Sequence, residues 1–220
     1  MNKLSAVLFD FDGTLIDSER FYFEAWGPIL SQDFQLEITF DDWIASFAGH
    51  TLQRNVQFLK SNYGIETTDE HMWKRTREAY ADQDLLSIQL MPFAGELISY
   101  LAENHIQIGL VTSNFKGVVS EILKNHKLYN YFNFFVTRED VQEPKPKPEC
   151  YLRAQELCHV PASEILVIED TVTGASAALA ANLTCFGVSK HAAERSRLAK
   201  SVPLFDDLQQ VYKELAESGY

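Results

Sequence analysis

Five short apolar runs, separated by stretches of helical spacing, set the fold this chain can adopt. They are Leu4–Phe9, Ile106–Val111, Phe132–Val136, Ile165–Ile168 and Thr184–Val188, each long enough for one buried strand and no more. Between them lie helical patterns. Phe115–Asn125 carries Val118, Val119, Ile122 and Leu123; Pro148–Cys158 follows; the alanine-rich Gly174–Ala181 ends at Asn182, a residue suited to a left-handed helix end. Pro92 starts a helix with Leu97, Ile98 and Leu101 on one face, and Asp206-Asp207 cap a last one with Leu208, Val211, Tyr212 and Leu215 on one side. Strands alternating with helices predict βαβ units, hence an α/β fold with a parallel sheet covered by helices on both faces. In such sheets ligands bind at the carboxyl ends of the strands, so the polar residues just after each strand are expected to converge.

The alternation is interrupted. Asp17-Ser18 offer a cap for a helix over Glu19–Leu30, and from residue 31 to residue 88 the sequence is helical in pieces. Thr39 or Asp41 caps one piece, Thr51 another with Leu52, Val56 and Leu59 at helical spacing, and Thr67-Thr68-Asp69-Glu70 start a third that runs to about Ala81. With no convincing strand there, residues 16–88 read as an inserted helical domain on two linkers, near Leu15–Ile16 and near Ser87–Pro92.

The first strand ends on Asp10, and Asp12 and Gly13 follow. Residues two apart in an extended chain point the same way, which brings the two carboxylates a few ångströms apart, where each resists ionising. A cation between them relieves this, and Mg²⁺, a hard ion that prefers oxygen ligands, is the one expected. Gly13 permits a sharp exit from the strand. The same string also reads as a plain strand-to-turn junction, since Asp-Gly is a common turn signal. Thr112-Ser113-Asn114 follow the second strand and also suit a helix cap; helix N-termini receive phosphates as well. Lys145, in Glu-Pro-Lys-Pro-Lys-Pro, follows the third strand on a longer loop stiffened by prolines, with Lys147 as a rival and a solvated loop lysine as the plain alternative. Glu169-Asp170 end the fourth strand and can cap the next helix, but two adjacent acids at the end of an apolar strand are poorly explained without a cation or base nearby. Four carboxylates, a hydroxyl–amide cluster and an ammonium at strand ends suit a cation together with an anion.

Charge and cysteine usage narrow the partners. The formal net charge of -12 disfavours broad binding to nucleic acid or to an anionic membrane, both of which need a basic surface. Cys150, Cys158 and Cys185 are too few and too unpatterned for a disulfide framework or a zinc site, so they are expected to be reduced and the protein cytoplasmic. No apolar stretch approaches the roughly 20 residues of a membrane span.

The string DFDGTLIDSE resembles the first signature motif of the haloacid dehalogenase superfamily, in its phosphatase and phosphomutase branch with a small helical cap. Leu110-Val111-Thr112-Ser113-Asn114 resembles the second motif, Lys145-Pro146-Lys147-Pro148 the third, and Val167-Ile168-Glu169-Asp170-Thr171, continuing to Gly174, the fourth. The resemblance spans nearly the whole chain. It implies a Rossmann-like catalytic core over 1–15 plus 89–220, a cap over 16–88, and a Mg²⁺-dependent phosphohydrolase of small phosphorylated metabolites, a monomer. Asp10 would be the nucleophile that forms an aspartyl-phosphate, and Asp12 the acid and base. Mg²⁺ would be held by Asp10, the Asp12 backbone carbonyl and Asp170, with Glu169 directly or through water. Thr112, Ser113, Asn114 and Lys145 would hold the phosphoryl oxygens, and the cap would close to exclude water.

Two other readings stand beside this one. The resembling sugar phosphomutases carry a cap histidine where this chain has Phe21-Tyr22-Phe23, and the Gly49-His50-Thr51 loop gives no match to their arginine, so hydrolysis is favoured over mutase action. A non-catalytic phosphate- or metal-binding module on the same fold is disfavoured because no motif residue is missing.

Overall fold

The computed structural model of the chain describes residues 3–48, 50–81 and 84–218. It divides into two compact units, one made of Met1–Asp17 and Gln89–Tyr220, the other of Ser18–Ile88.

The first unit is the α/β fold. Its strands are β1 (Ala6–Phe9), β2 (Gln107–Val111), β3 (Phe134–Val136), β4 (Ile165–Glu169), β5 (Thr184–Val188) and β6 (Leu204–Phe205). They form one sheet in the order β3-β2-β1-β4-β5-β6, every pairing parallel. β1 is central: Ala6 pairs with Gln107 on one side and Ile165 on the other, and Phe9 with Leu110 and Ile168. Strands covered on both faces are apolar on both faces, and all four residues of β1 are buried. This in-register pairing brings the ends of β1, β2 and β4 to one level.

The helices of the second unit are α1 (Glu19–Phe34), α2 (Phe40–Ser46), α3 (Leu52–Tyr63) and α4 (Asp69–Ala81); those of the first are α5 (Ala94–Glu103), α6 (Lys116–Asn125), α7 (Glu149–Cys158), α8 (Val172–Ala180), α9 (Ala192–Leu198) and α10 (Leu208–Glu217). The caps follow the sequence signals at Thr39, Thr51 and Asp207, whose side chains accept from the backbone N–H three residues on; α8 is capped in the same way by Thr171, not by Glu169-Asp170. Asn182 is left-handed at φ 59°. Ser18 differs: it precedes α1 but makes no capping bond. α1 also runs past Leu30 to Phe34 with Pro28 inside it, held by Trp26, Ile29 and Leu30 in the helical unit's core.

The helical unit has its own core of Trp26, Trp43, Phe47, Leu59 and Met72. Trp43 stacks on Phe47 at 5.5 Å and donates its indole N–H to Glu19 Oε2 at 2.8 Å, which gives a buried carboxylate a partner. The chain leaves and re-enters the sheet unit along paired backbone: Asp17 N donates to Gln89 O and Met91 N to Leu15 O, at 2.9 and 2.8 Å. No described helix is long and apolar enough to cross a membrane.

Candidate active site

Asp10 is the first residue beyond β1, and its N–H still donates to Ile168 O at 3.0 Å, so the neighbouring strand fixes where its side chain begins. Gly13 turns the chain at φ +80°, and Gly13 N closes the turn on Ile16 O at 2.9 Å. A Cβ at position 13 would lie 2.1 Å from Asp170 Oδ2; the absent side chain is the space in which Asp170 sits. Asp10, Glu169 and Asp170 are all buried and offer ligand oxygens within 4.8 Å of one another.

Lys145 completes this group. Its ammonium donates to Asp10 Oδ1 at 2.6 Å, Glu169 Oε1 at 2.6 Å and Val111 O at 3.0 Å, which accounts for all three of its N–H bonds. Lys147, the rival, is exposed. The loop that delivers Lys145 is pinned from outside. Glu149, the first residue of α7, accepts from Gln142 N and Glu143 N, while Arg153 donates to Asp140 O and Arg138 to Val141 O.

Glu169 is fully buried. Its Oε1 takes Lys145 and also the Tyr151 hydroxyl at 2.8 Å, while Oε2 faces the Thr171 hydroxyl at 3.3 Å. Its carboxylate rests on the first turn of α8, where a Cβ at Gly174 would come 1.8 Å from Oε1.

Asp12 is half-buried and outside the three-acid group; Asn114 Nδ2 donates to its Oδ2 at 3.1 Å. Thr112 is buried at the end of β2, its hydroxyl accepting from Asn114 N at 3.0 Å, and Ser113 is exposed. These three do not cap α6: the first N–H of that helix, at Lys116, is held by the Glu139 carboxylate. The polar triplet is thus left to the strand end.

The sequence therefore brings Asp10, Lys145, Glu169 and Asp170 into one buried cluster, with Asp12, Thr112 and Asn114 beside it. Tyr151 escaped sequence reasoning; its signal was a phenol on the buried face of α7, which needs a partner for its hydroxyl. Electrostatics define what the cluster can hold. Burial pushes the Asp10 carboxyl up to about 8, against the pull of Lys145 and with further upward push from Glu169 and Asp12. Burial alone would lower Lys145, but Asp10 and Glu169 carry it above the ordinary lysine range, so it remains an ammonium. One ammonium beside three buried acids leaves room for a hard divalent cation, and an all-oxygen donor set suits Mg²⁺.

Comparison with known proteins fits this geometry. The family described as haloacid dehalogenase-like hydrolase matches residues 7–188. A validoxylamine A 7'-phosphate phosphatase of Streptomyces hygroscopicus subsp. limoneus is 29% identical, over 93% of this chain and 94% of its own. A β-phosphoglucomutase of Bacillus subtilis is 27% identical, over 85% and 84%. Among solved structures, a hydrolase from Pseudomonas syringae superposes with a TM-score of 0.78 at 26% identity, covering 97% of this chain and 98% of that one.

Proposed function

This chain belongs to the haloacid dehalogenase-like hydrolases, and from that premise we propose that it cleaves phosphate monoesters of small metabolites through an aspartyl-phosphate on Asp10. It is a phosphoric monoester hydrolase, as its phosphatase relatives indicate. The observation that carries the finer reading is the pairing of a buried carboxylate, Asp10, held by Lys145 at 2.6 Å, with a second carboxylate two residues on that is not one of the three clustered acids and is held by Asn114.

Asp10 attacks the phosphorus and becomes an acyl phosphate as the ester P–O bond breaks, while Asp12 protonates the departing alcohol oxygen and afterwards takes a proton from the water that attacks the acyl phosphate and releases inorganic phosphate. Asn114 holds Asp12 for both tasks. Lys145, Thr112 and the backbone at Ser113 and Asn114 take the phosphoryl oxygens, with Lys145 giving up part of its bond to Asp10 as charge passes to them. Asp10, Asp170 and the Asp12 carbonyl, backed by Glu169, would hold Mg²⁺. The ion, when bound, neutralises charge on the acids and on the phosphoryl oxygens.

The test is a panel of phosphorylated metabolites, assayed for released inorganic phosphate with Mg²⁺ and with excess chelator, and for an acid-stable phosphoenzyme that hydroxylamine cleaves. Phosphate release that needs Mg²⁺, with the label on Asp10 by peptide mapping, is the expected result. Isomerisation of a sugar phosphate without net phosphate release would turn the assignment to a mutase.

A further inference from the structure

Tyr151 stands beneath the acid–lysine cluster and contacts two of its members at once. Its hydroxyl donates to Glu169 Oε1 at 2.8 Å, and its ring centroid lies 5.1 Å from Lys145 Nζ. It is fully buried on α7, a helix that packs against β2 and β3, so neither ring nor hydroxyl has freedom to turn away. Glu169 needs such a partner. Its oxygen Oε1 is shared with Lys145, its other oxygen meets the Thr171 hydroxyl at 3.3 Å and amide at 3.5 Å among the described residues, and the carboxylate lies against Gly174, which offers no side chain to brace it. The position of Lys145 depends in turn on Glu169, because that carboxylate and Asp10, each at 2.6 Å, hold the ammonium together with Val111 O at 3.0 Å.

From this chain of contacts we infer that Tyr151 is a positioning residue for phosphoryl transfer: its hydroxyl fixes the Glu169 carboxylate, and Glu169 fixes Lys145 against the Asp10 nucleophile. Phenylalanine would keep the packing and the ring under the ammonium but would leave Glu169 Oε1 with Lys145 as its donor, loosening the carboxylate about its last bond. The inference rests on the reading of Asp10 and Lys145 given above. It extends the machinery to a residue that meets neither substrate nor metal.

The test is a double-mutant cycle read by single-turnover phosphoryl transfer with enzyme in excess, which keeps slow variants measurable. Tyr151→Phe is expected to fold and to lower the transfer rate about 10-fold, the size of one hydrogen bond to a charged acceptor, with KM changed less than twofold. In a Glu169→Ala background the same substitution is expected to change the rate less than twofold, because the residue it acts through is gone. A tenfold loss that persists in that background marks Tyr151 as merely structural and overturns the inference, as does a Tyr151→Phe rate equal to wild type. Should Tyr151→Phe not fold, 3-fluorotyrosine placed at 151 keeps the hydroxyl and changes its strength as a donor with a small change of volume. A rate that shifts in the wild-type background and not in Glu169→Ala supports the inference, and a rate unmoved in both overturns it. Lys145→Ala separates the two levels. Full activity there removes the underlying reading, whereas a large loss there with a wild-type rate in Tyr151→Phe removes only the role of Tyr151.

Discussion

Asn114 Nδ2 donates to Asp12 Oδ2 at 3.1 Å, joining the end of β2 to the residue two beyond the proposed nucleophile across 102 positions of sequence. Removing that amide takes one hold from the Asp12 carboxylate while leaving its charge in place. Asn114→Ala is therefore expected to lower kcat about 10-fold, short of the roughly 10²–10⁴-fold that loss of a general acid–base costs, with KM within twofold of wild type. Steady-state phosphate release measures both. A rise in KM alone would move Asn114 from Asp12 to the phosphoryl group.

Asp10 and Asp12 are expected to fail differently. Asp10→Asn leaves no nucleophile, so no phosphoenzyme forms. Asp12→Asn keeps the nucleophile and the backbone carbonyl of residue 12, and loses only proton transfer. A nitrophenyl phosphate, whose leaving group needs little protonation, should still phosphorylate Asp12→Asn, but attack of water on the product lacks its base. Rapid quench with labelled substrate should show phosphoenzyme accumulating in Asp12→Asn and absent in Asp10→Asn. Absence from both would refute this division of labour.

Two helix glycines are expected to respond in opposite directions. Gly117, exposed in the first turn of α6, has nothing within 4 Å of a built Cβ, so Gly117→Ala should stabilise the protein by about 0.5 kcal/mol through the unfolded chain. Gly174, in the first turn of α8, sits against the Glu169 carboxylate, which is buried and held by Lys145 and Tyr151. Gly174→Ala should cost about 1–3 kcal/mol, as overpacking does, and should depress activity as well, because the side chain displaced is part of the cluster. Urea denaturation of the two variants beside wild type reads the sign.

A pH effect on stability follows from the helical unit. Asp33 accepts two bonds from Arg75, at 2.7 and 3.0 Å, and one contact from His71 at 3.1 Å. The Arg75 bonds hold its carboxyl below the ordinary range. A depressed carboxyl adds stability that is fully present above its unfolded value of about 3.9 and is lost as pH falls through the folded value. Asp33→Asn should thus lower the unfolding free energy by about 1 kcal/mol at pH 7, and its difference from wild type should shrink as pH falls below the unfolded value. A deficit undiminished at pH 3 would show that the loss is not one of charge.

Much of this architecture could be read from local pattern. β1, β2, β4 and β5 are apolar runs closed by polar residues, and Asp10, Thr112 and Glu169-Asp170 mark those closures without any knowledge of the fold. Lys145 stood out because prolines flank it. The failures are tertiary. β6 is two residues long and takes its strand character from pairing with Gly187 and Val188. α9 is seven residues of mixed polarity and escaped notice for the same reason. Thr112-Ser113-Asn114, taken alone, reads first as a helix cap, but the Glu139 carboxylate from across the loop holds the first helical N–H. Tyr151 was invisible as a site residue because its meaning lies in an oxygen 18 positions away.

The placement of β1 between β2 and β4 also sets the order in which the proposed site is assembled during synthesis. The N-terminal strand is made first but has no neighbour until Gln107–Val111 is added, and it gains its second only with Ile165–Glu169. At ordinary elongation rates, on the order of 10 s separate Asp10 from the acids that complete its surroundings. Throughout that interval the growing polypeptide carries the proposed nucleophile without Lys145, Glu169 or Asp170 in place. On the proposed assignment, ribosome-bound intermediates shorter than this are expected to release no phosphate, because the acids and the lysine meant to serve Asp10 have yet to be made.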